Sequence, residues 1–390
     1  MLDQIDKYTQ KLIADRSAQP ERIAMAAQDD VMISSGALEL RELAAAILGH
    51  LNSLALCIAT PALPFAEYLL QRAAASEHAI VPRDTETRTF LHDIPILRTT
   101  ELGSDPATVM ARLLGSRKGI VVEGIGIIAV GALTVEQAFI NWSSVFHSTF
   151  IMYLEDVLEN GFLSADEPAS FCSFRHDWLV PLTADGLAFR PGPLNDKREI
   201  LDELAQVGRY TVQRGLVDSF FGNISYRCGD LIYVSQTASS LDELPGCIDP
   251  VPFENSSTVG ITASSELVAH RRIYETNDCR AILHGHPRFS VIMSMLCEEK
   301  TDCTISDCWK SCPKVRIVAG SPVVAGEIGA GGIATSVPPV IGRTGCAIVY
   351  GHGVFTLGRN DFAEAFSSLV AVENWCRQEY FRRFDEKYAQ

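Results

Sequence analysis

No apolar run in this 390-residue chain approaches the roughly 18 residues of a membrane helix, so no membrane-spanning helix is expected. Positive charge is also short: Lys and Arg number 33 against 48 Asp and Glu, a net charge of −15. A nucleic-acid-binding surface wants basic patches, so that class is set aside. The first residues, Met1-Leu2-Asp3-Gln4-Ile5-Asp6-Lys7, lack the basic-then-apolar pattern of a secretory signal. The 11 cysteines are odd in number and form no compact disulfide framework, so they read as reduced thiols in a cytoplasmic protein. Four of them cluster, Cys297, Cys303, Cys308 and Cys312, but at spacings that match no standard zinc or iron–sulfur pattern. What remains is a chain with 47% hydrophobic residues, ample for packed cores, and a length that favours two domains.

The most informative stretch is Ala281-Ile282-Leu283-His284-Gly285-His286-Pro287. Residues 279–283 read as a buried strand that ends in two histidines, after which a proline blocks continuation. Side chains at i and i+2 of a strand share a face, so both imidazoles can reach one ion. A metal with open positions needs a third protein ligand. The candidate stands 66 residues after His286, where a second apolar strand meets Gly351-His352-Gly353. Upstream, Thr262-Ala263-Ser264-Ser265-Glu266 offers small hydroxyls at a helix start and one carboxylate, suited to an oxyanion beside a general base. Ser264 or Ser265 is expected as the cap of a helix over 265–275. The histidines at 50, 78, 92, 147, 176 and 270 share no such spacing and are expected on the surface or in packing.

Gly222-Asn223-Ile224-Ser225, then Ser264-Ser265-Glu266, His284-Gly285-His286-Pro287 and Gly351-His352-Gly353, in this order, resemble the class II aldolase/adducin family over roughly residues 195–385. The resemblance implies a layered α/β domain, a mostly antiparallel central sheet flanked by helices. It implies a divalent ion, Zn²⁺ by the imidazole donor set, on His284, His286 and His352, with Glu266 as the acid/base carboxylate. Asn223, Thr237, Ser264 and Ser265 fall at the positions of the family's substrate-anion cradle. The turn there reads Gln236-Thr237-Ala238-Ser239 where the family has Thr-Pro-Ser/Thr-Gly. The activity implied is aldol cleavage of a small hydroxy-ketone or sugar phosphate through a metal-stabilised enediolate. Decarboxylation, dehydration or epimerisation at the same site, and a non-catalytic adducin-like scaffold, are the alternatives. Partners follow: a small-molecule substrate with or without phosphate, and copies of the chain in a dimer or tetramer.

A repeat lies beneath this. Gly119-Ile120-Val121-Val122-Glu123-Gly124-Ile125-Gly126 can be laid under Cys346-Ala347-Ile348-Val349-Tyr350-Gly351-His352-Gly353 at a constant spacing of 227 residues, as from Ile125 to His352. The first copy has Ile58, Thr60 and Ile125 where the second has its three histidines, and its nearest match to Ser264-Ser265-Glu266 is Ser34-Ser35-Gly36. The expectation is a degenerate aldolase-like domain over 1–165 without metal ligands, a linker over 166–196 rich in Pro and Gly, and a catalytic domain over 197–390. Residues 1–30 read as helix, 65–75 as helix, and 236–258 as a polar loop.

Overall fold

A computed structural model of the chain describes residues 1–72, 79–218, 220–257, 260–298, 303–326 and 330–388. His78, the end of the helix expected over 65–75 and the end of the loop expected at Thr258 lie outside the described residues. The chain forms two compact units, Met1–Val180 and Pro181–Gln390.

The first unit is built on strands β1 (Ala18–Gln28), β2 (Met32–Gly36), β3 (Ala55–Pro61), β4 (Ala79–Ile80), β5 (Ile94–Leu97), β6 (Gly119–Val122) and β7 (Gly126–Gly131). They lie in the order β2-β1-β3-β7-β6-β5-β4. The second unit uses β8 (Asn223–Cys228), β9 (Leu231–Ser235), β10 (Ile248–Pro252), β11 (Ala281–Gly285), β12 (Arg316–Val318), β13 (Ser321–Val324), β14 (Cys346–Val349) and β15 (Gly353–Gly358). Their order is β10-β9-β8-β11-β15-β14-β13-β12. Apart from β10, the two orders superimpose strand for strand, and so does the sense of every pair. Within each sheet one pair is parallel, β5 with β6 and β13 with β14, and the rest are antiparallel. Register agrees too: Ile58 pairs with Ile128 as His284 pairs with Phe355, and Ala24 with Ile58 as Asn223 with His284. The two halves are copies of one domain.

Each sheet has helices on both faces. In the first unit, the even-numbered core residues Leu56, Ile58, Ile120 and Ile128 pack with Leu40, Ala44, Ile47 and Met110 of the helices Leu38–Leu48 and Pro106–Leu114. The 26-residue helix Val135–Asn160 packs against β3 and β7, and Gly119 lies so close to Val145 of this helix that a Cβ would sit 2.7 Å from its side chain. In the second unit, Ile282 and Phe355 pack with Ile273 and Tyr274 of the helix Leu267–Thr276 and with Ile341 of Pro338–Thr344. The 27-residue helix Phe362–Tyr388 packs on β11 and β15.

Four expectations change. Residues 18–28 are a strand, not helix: Ile23-Ala24-Met25-Ala26-Ala27 is buried along its whole length between β2 and β3, so tertiary pairing overrides helical propensity. The loop expected over 236–258 contains β10, whose Pro250 and Pro252 suit an edge strand. Within the expected linker 166–196, the helix Glu167–Ser173 runs into one π-type turn, Phe174–Trp178, and buries Phe171 and Phe174 in the first unit. Glu167 accepts from Nε of Arg72 at 2.6 Å, and Asp156 from its Nη1. Finally, Glu266 rather than a serine holds the N-cap position of the helix after Ser264-Ser265, without a side-chain capping bond, and Ala37 holds the matching position after Ser34-Ser35-Gly36 in the first unit.

Candidate metal and acid–base site

Period-two alternation puts Ile282, His284 and His286 on one face of β11 and its extension, the face covered by the helix Leu267–Thr276. His284 is fully buried and its ring stacks on Phe355 of β15, centroids 3.9 Å apart. Its Nδ1 lies 3.0 Å from the carbonyl of Val354; that oxygen can only accept, so Nδ1 carries the proton and Nε2 presents a lone pair. Nε2 of His286 approaches it at 2.9 Å and Nε2 of His352, from the turn between β14 and β15, at 3.2 Å. Two ligands 2.0–2.1 Å from one tetrahedral ion would be about 3.3 Å apart. The donor set therefore fits a His₃ divalent-ion site, and the ligand atoms of the three residues all lie within 4.8 Å of one another.

Neighbouring elements hold these rings. Phe221 stacks on His286 with 9° between the planes. A Cβ on Gly353 would stand 2.9 Å from ring carbons of both His284 and His286 and against the Gly285 carbonyl, so the site has no room for any side chain there. Gly222, at φ +84°, passes against the His284 carbonyl in a conformation that favours glycine. Behind His286-Pro287, the buried Glu373 accepts from the amides of Phe289 and Ser290 and fixes the start of the next helix.

Glu266 faces the triad, with Oε1 3.0 Å from His352 Nε2 and Oε2 3.4 Å from His284 Nε2. Burial pushes its carboxyl up, but the pull of His284, the contact with His352 and the amide of Asn223 together hold it well below the usual carboxylate range. Asn223 Nδ2 donates to Glu266 Oε2 at 2.7 Å, and its Oδ1 accepts from Nε2 of His270. His270 is completely buried, and its Nδ1 accepts from Ser225 Oγ at 2.6 Å; Tyr274 completes the chain at 2.8 Å from that hydroxyl. Burial, then His284, push the His270 ring down, against the upward pull of Glu266, to about 3. It is a neutral imidazole of one tautomer, which orients Asn223 and through it Glu266.

His270 is the residue that reading the sequence missed. The signal was the spacing: Glu266, His270 and Tyr274 stand at i, i+4 and i+8 of one helix, opposite Asn223 and Ser225 at i and i+2 of β8. Of the other residues singled out, Ser264 is buried and accepts from the Glu266 amide at 3.3 Å, while Ser265 and Thr237 are exposed. The Thr237 amide donates to the Thr262 carbonyl, which brings the 236–239 turn beside the 262–266 segment. Ala238 stands in that turn at φ +56°, where the family pattern has glycine nearby. Tyr380 is fully buried against Phe289 and Phe381. All eleven cysteines are free thiols, and among the described residues only the three histidines form a metal-capable cluster.

Known proteins resemble part of the chain. The chain is 29% identical over 163 residues to an L-fuculose phosphate aldolase of Methanococcus maripaludis, covering 41% of this chain and 84% of that one. It is 27% identical over 104 residues to a 3-oxo-tetronate 4-phosphate decarboxylase of Cupriavidus necator, covering 26% of this chain and 48% of that one. Among solved structures, the L-fuculose-1-phosphate aldolase of Thermus thermophilus is 21% identical with a TM-score of 0.40, over 49% of this chain and 98% of its own. Residues 202–380 match the family described as the class II aldolase and adducin N-terminal domain, so the second unit resembles that family.

Proposed function

We propose that the second unit is a divalent-metal lyase that reversibly cleaves a small hydroxy-ketone or sugar phosphate at the bond beside its carbonyl-adjacent hydroxyl. The observation that carries this reading is the convergence of three imidazole Nε2 atoms, one with its tautomer fixed, on a buried carboxylate. His284, His286 and His352 would hold the ion, zinc being the best match to three imidazoles. When bound, the ion supplies Lewis-acid polarisation of a carbonyl and stabilises the enediolate charge that cleavage develops. Glu266, kept ionised beside the triad, takes and returns the proton at the substrate's hydroxyl or carbon. Asn223 holds that carboxylate in place, and the Thr237 and Ser264-Ser265 segments flank it as hydrogen-bond donors for an anionic substrate group.

Exchange of substrate C–H for deuterium in heavy water, screened over hydroxy-ketones and their phosphates, tests the reading. Glu266→Gln keeps the shape and loses the base, so exchange should fall about 10²–10⁴-fold with the metal retained. Undiminished exchange in that variant would remove Glu266 from the role. A second reading, decarboxylation at the same site, draws on the Cupriavidus relative and on the absence of tyrosine from residues 297–312, where family aldolases place a proton donor. Release of CO₂ from a 3-oxo acid phosphate without aldehyde release would favour it. The intact triad and Glu266 speak against a non-catalytic scaffold. We place the chain in the cytoplasm, since all its thiols are free, and expect a homodimer or tetramer, which light scattering checks. No helix among the described residues is long and apolar enough to cross a membrane.

A further inference from the structure

The first unit has lost the triad but not the cleft. At the corresponding place, a cavity of about 710 Å³ is lined by Arg22, Thr60, Leu63, Pro64 and Ile125, among others. That volume lies within the roughly 300–1,000 Å³ of small-molecule sites. By strand register, Thr60 stands where His286 stands and Ile125 where His352 stands; Arg22, two residues before Ala24, stands where Phe221 precedes Asn223. A ring stacked on a ligand histidine is thus replaced by a guanidinium on a threonine.

Among the described residues, the cation is held in place by neutral groups. Nε of Arg22 donates to Thr60 Oγ1 at 2.8 Å and Nη2 donates to the Gly124 carbonyl at 2.9 Å. Thr60 donates its own hydroxyl to the Ile125 carbonyl at 2.6 Å, which leaves its lone pairs for Arg22. Among the described residues no carboxylate pairs with Arg22. Two carboxylates line the cavity. Glu123 is already engaged by the amide and hydroxyl of Thr99, both at 2.8 Å, and Glu67 is exposed. The two bonds use Nε–H and one hydrogen of Nη2, so both hydrogens of Nη1 and the second of Nη2 remain to meet a carboxylate or phosphate.

We propose that this cleft is a second ligand site, in which Arg22 provides the positive charge where the second unit has its triad, and which takes a small organic molecule bearing a carboxylate or phosphate group. The head of the ligand meets the Arg22 guanidinium and its body lies against Leu63, Pro64 and Ile125. This does not depend on the second unit being a lyase.

The test is protection of Arg22 from phenylglyoxal in the intact chain, read by peptide mass spectrometry, with exposed Arg16 as the internal reference. Sodium phosphate, sodium succinate and sodium chloride are compared at equal ionic strength. At ten times the Kd, occupancy slows modification about tenfold. The expected result is that slowing at Arg22 with phosphate, succinate or both, and none at Arg16 or with chloride. Protection by phosphate alone assigns a phosphate ligand, and by succinate alone a carboxylate. No slowing at Arg22 with either anion, or equal slowing with chloride or at Arg16, overturns the proposal. Calorimetry with the protecting anion separates the units: Arg22→Gln should lose at least tenfold in affinity while His286→Ala keeps it, and the reverse pattern would move the site to the second unit.

Discussion

His270 provides a quantitative handle on how the carboxylate is positioned. Its ring has an ordinary value of 6.5, brought down in the fold to about 3, chiefly by burial. Between these values the unfolded chain binds a proton that the folded chain does not, so stability rises with pH through this window and levels off above it. The slope is about 1.4 kcal/mol per pH unit over most of the window, so at pH 4.5 the second unit loses about 2.6 kcal/mol relative to pH 7 from this residue alone. Glu266 stays out of the window, because a carboxyl lowered from 4.5 costs stability only below that pH. His270→Gln retains a donor towards Asn223 and has nothing to titrate. The assay is urea unfolding of the metal-stripped chain from pH 7.5 to 4.5, with hydrogen-exchange mass spectrometry on β8 and β11 to follow the second unit. Groups common to both proteins cancel in the difference. The stability gap between wild type and variant should narrow by about 2–3 kcal/mol as the pH falls to 4.5. A gap that stays constant over this range would refute a buried neutral imidazole.

Gly353→Ala drives a methyl group between the rings of His284 and His286 and should cost about 1–3 kcal/mol and, at the proposed metal site, at least tenfold in metal affinity, measured by unfolding and by competition with a chelator. In the first unit, Arg72→Met leaves Glu167 buried without its cation; a loss of about 3–5 kcal/mol, read as earlier melting of that unit, is expected, and a loss below 1 kcal/mol would show that Glu167 is satisfied otherwise.

The clustering of His284, His286 and His352 was legible because they sit at strand ends, where Gly and Pro punctuate a short apolar run, at 284–287 and again at 351–353. Duplication was legible as well, since Gly119-to-Gly126 keeps its spacing from Cys346-to-Gly353 without a gap. Strand β1 was hidden: buried on both faces, Ile23 to Ala27 show no alternation, and their Ala and Met content favours a helix. Prolines masked β10, which tolerates them as an edge strand. His270 was hidden for another reason. A single histidine on a helix announces nothing until the sheet brings Asn223 and Ser225 to it, and that pairing spans more than 40 residues of sequence.

The most direct measurement is the metal content of the purified chain by inductively coupled plasma mass spectrometry, wild type beside His286→Ala. One divalent ion per chain, zinc foremost, that is lost in the variant and removed by chelator with the deuterium-exchange activity, is the expected result. A wild type that neither carries nor takes up a divalent ion, or a His286→Ala chain that keeps it, would contradict a metal centre on His284, His286 and His352.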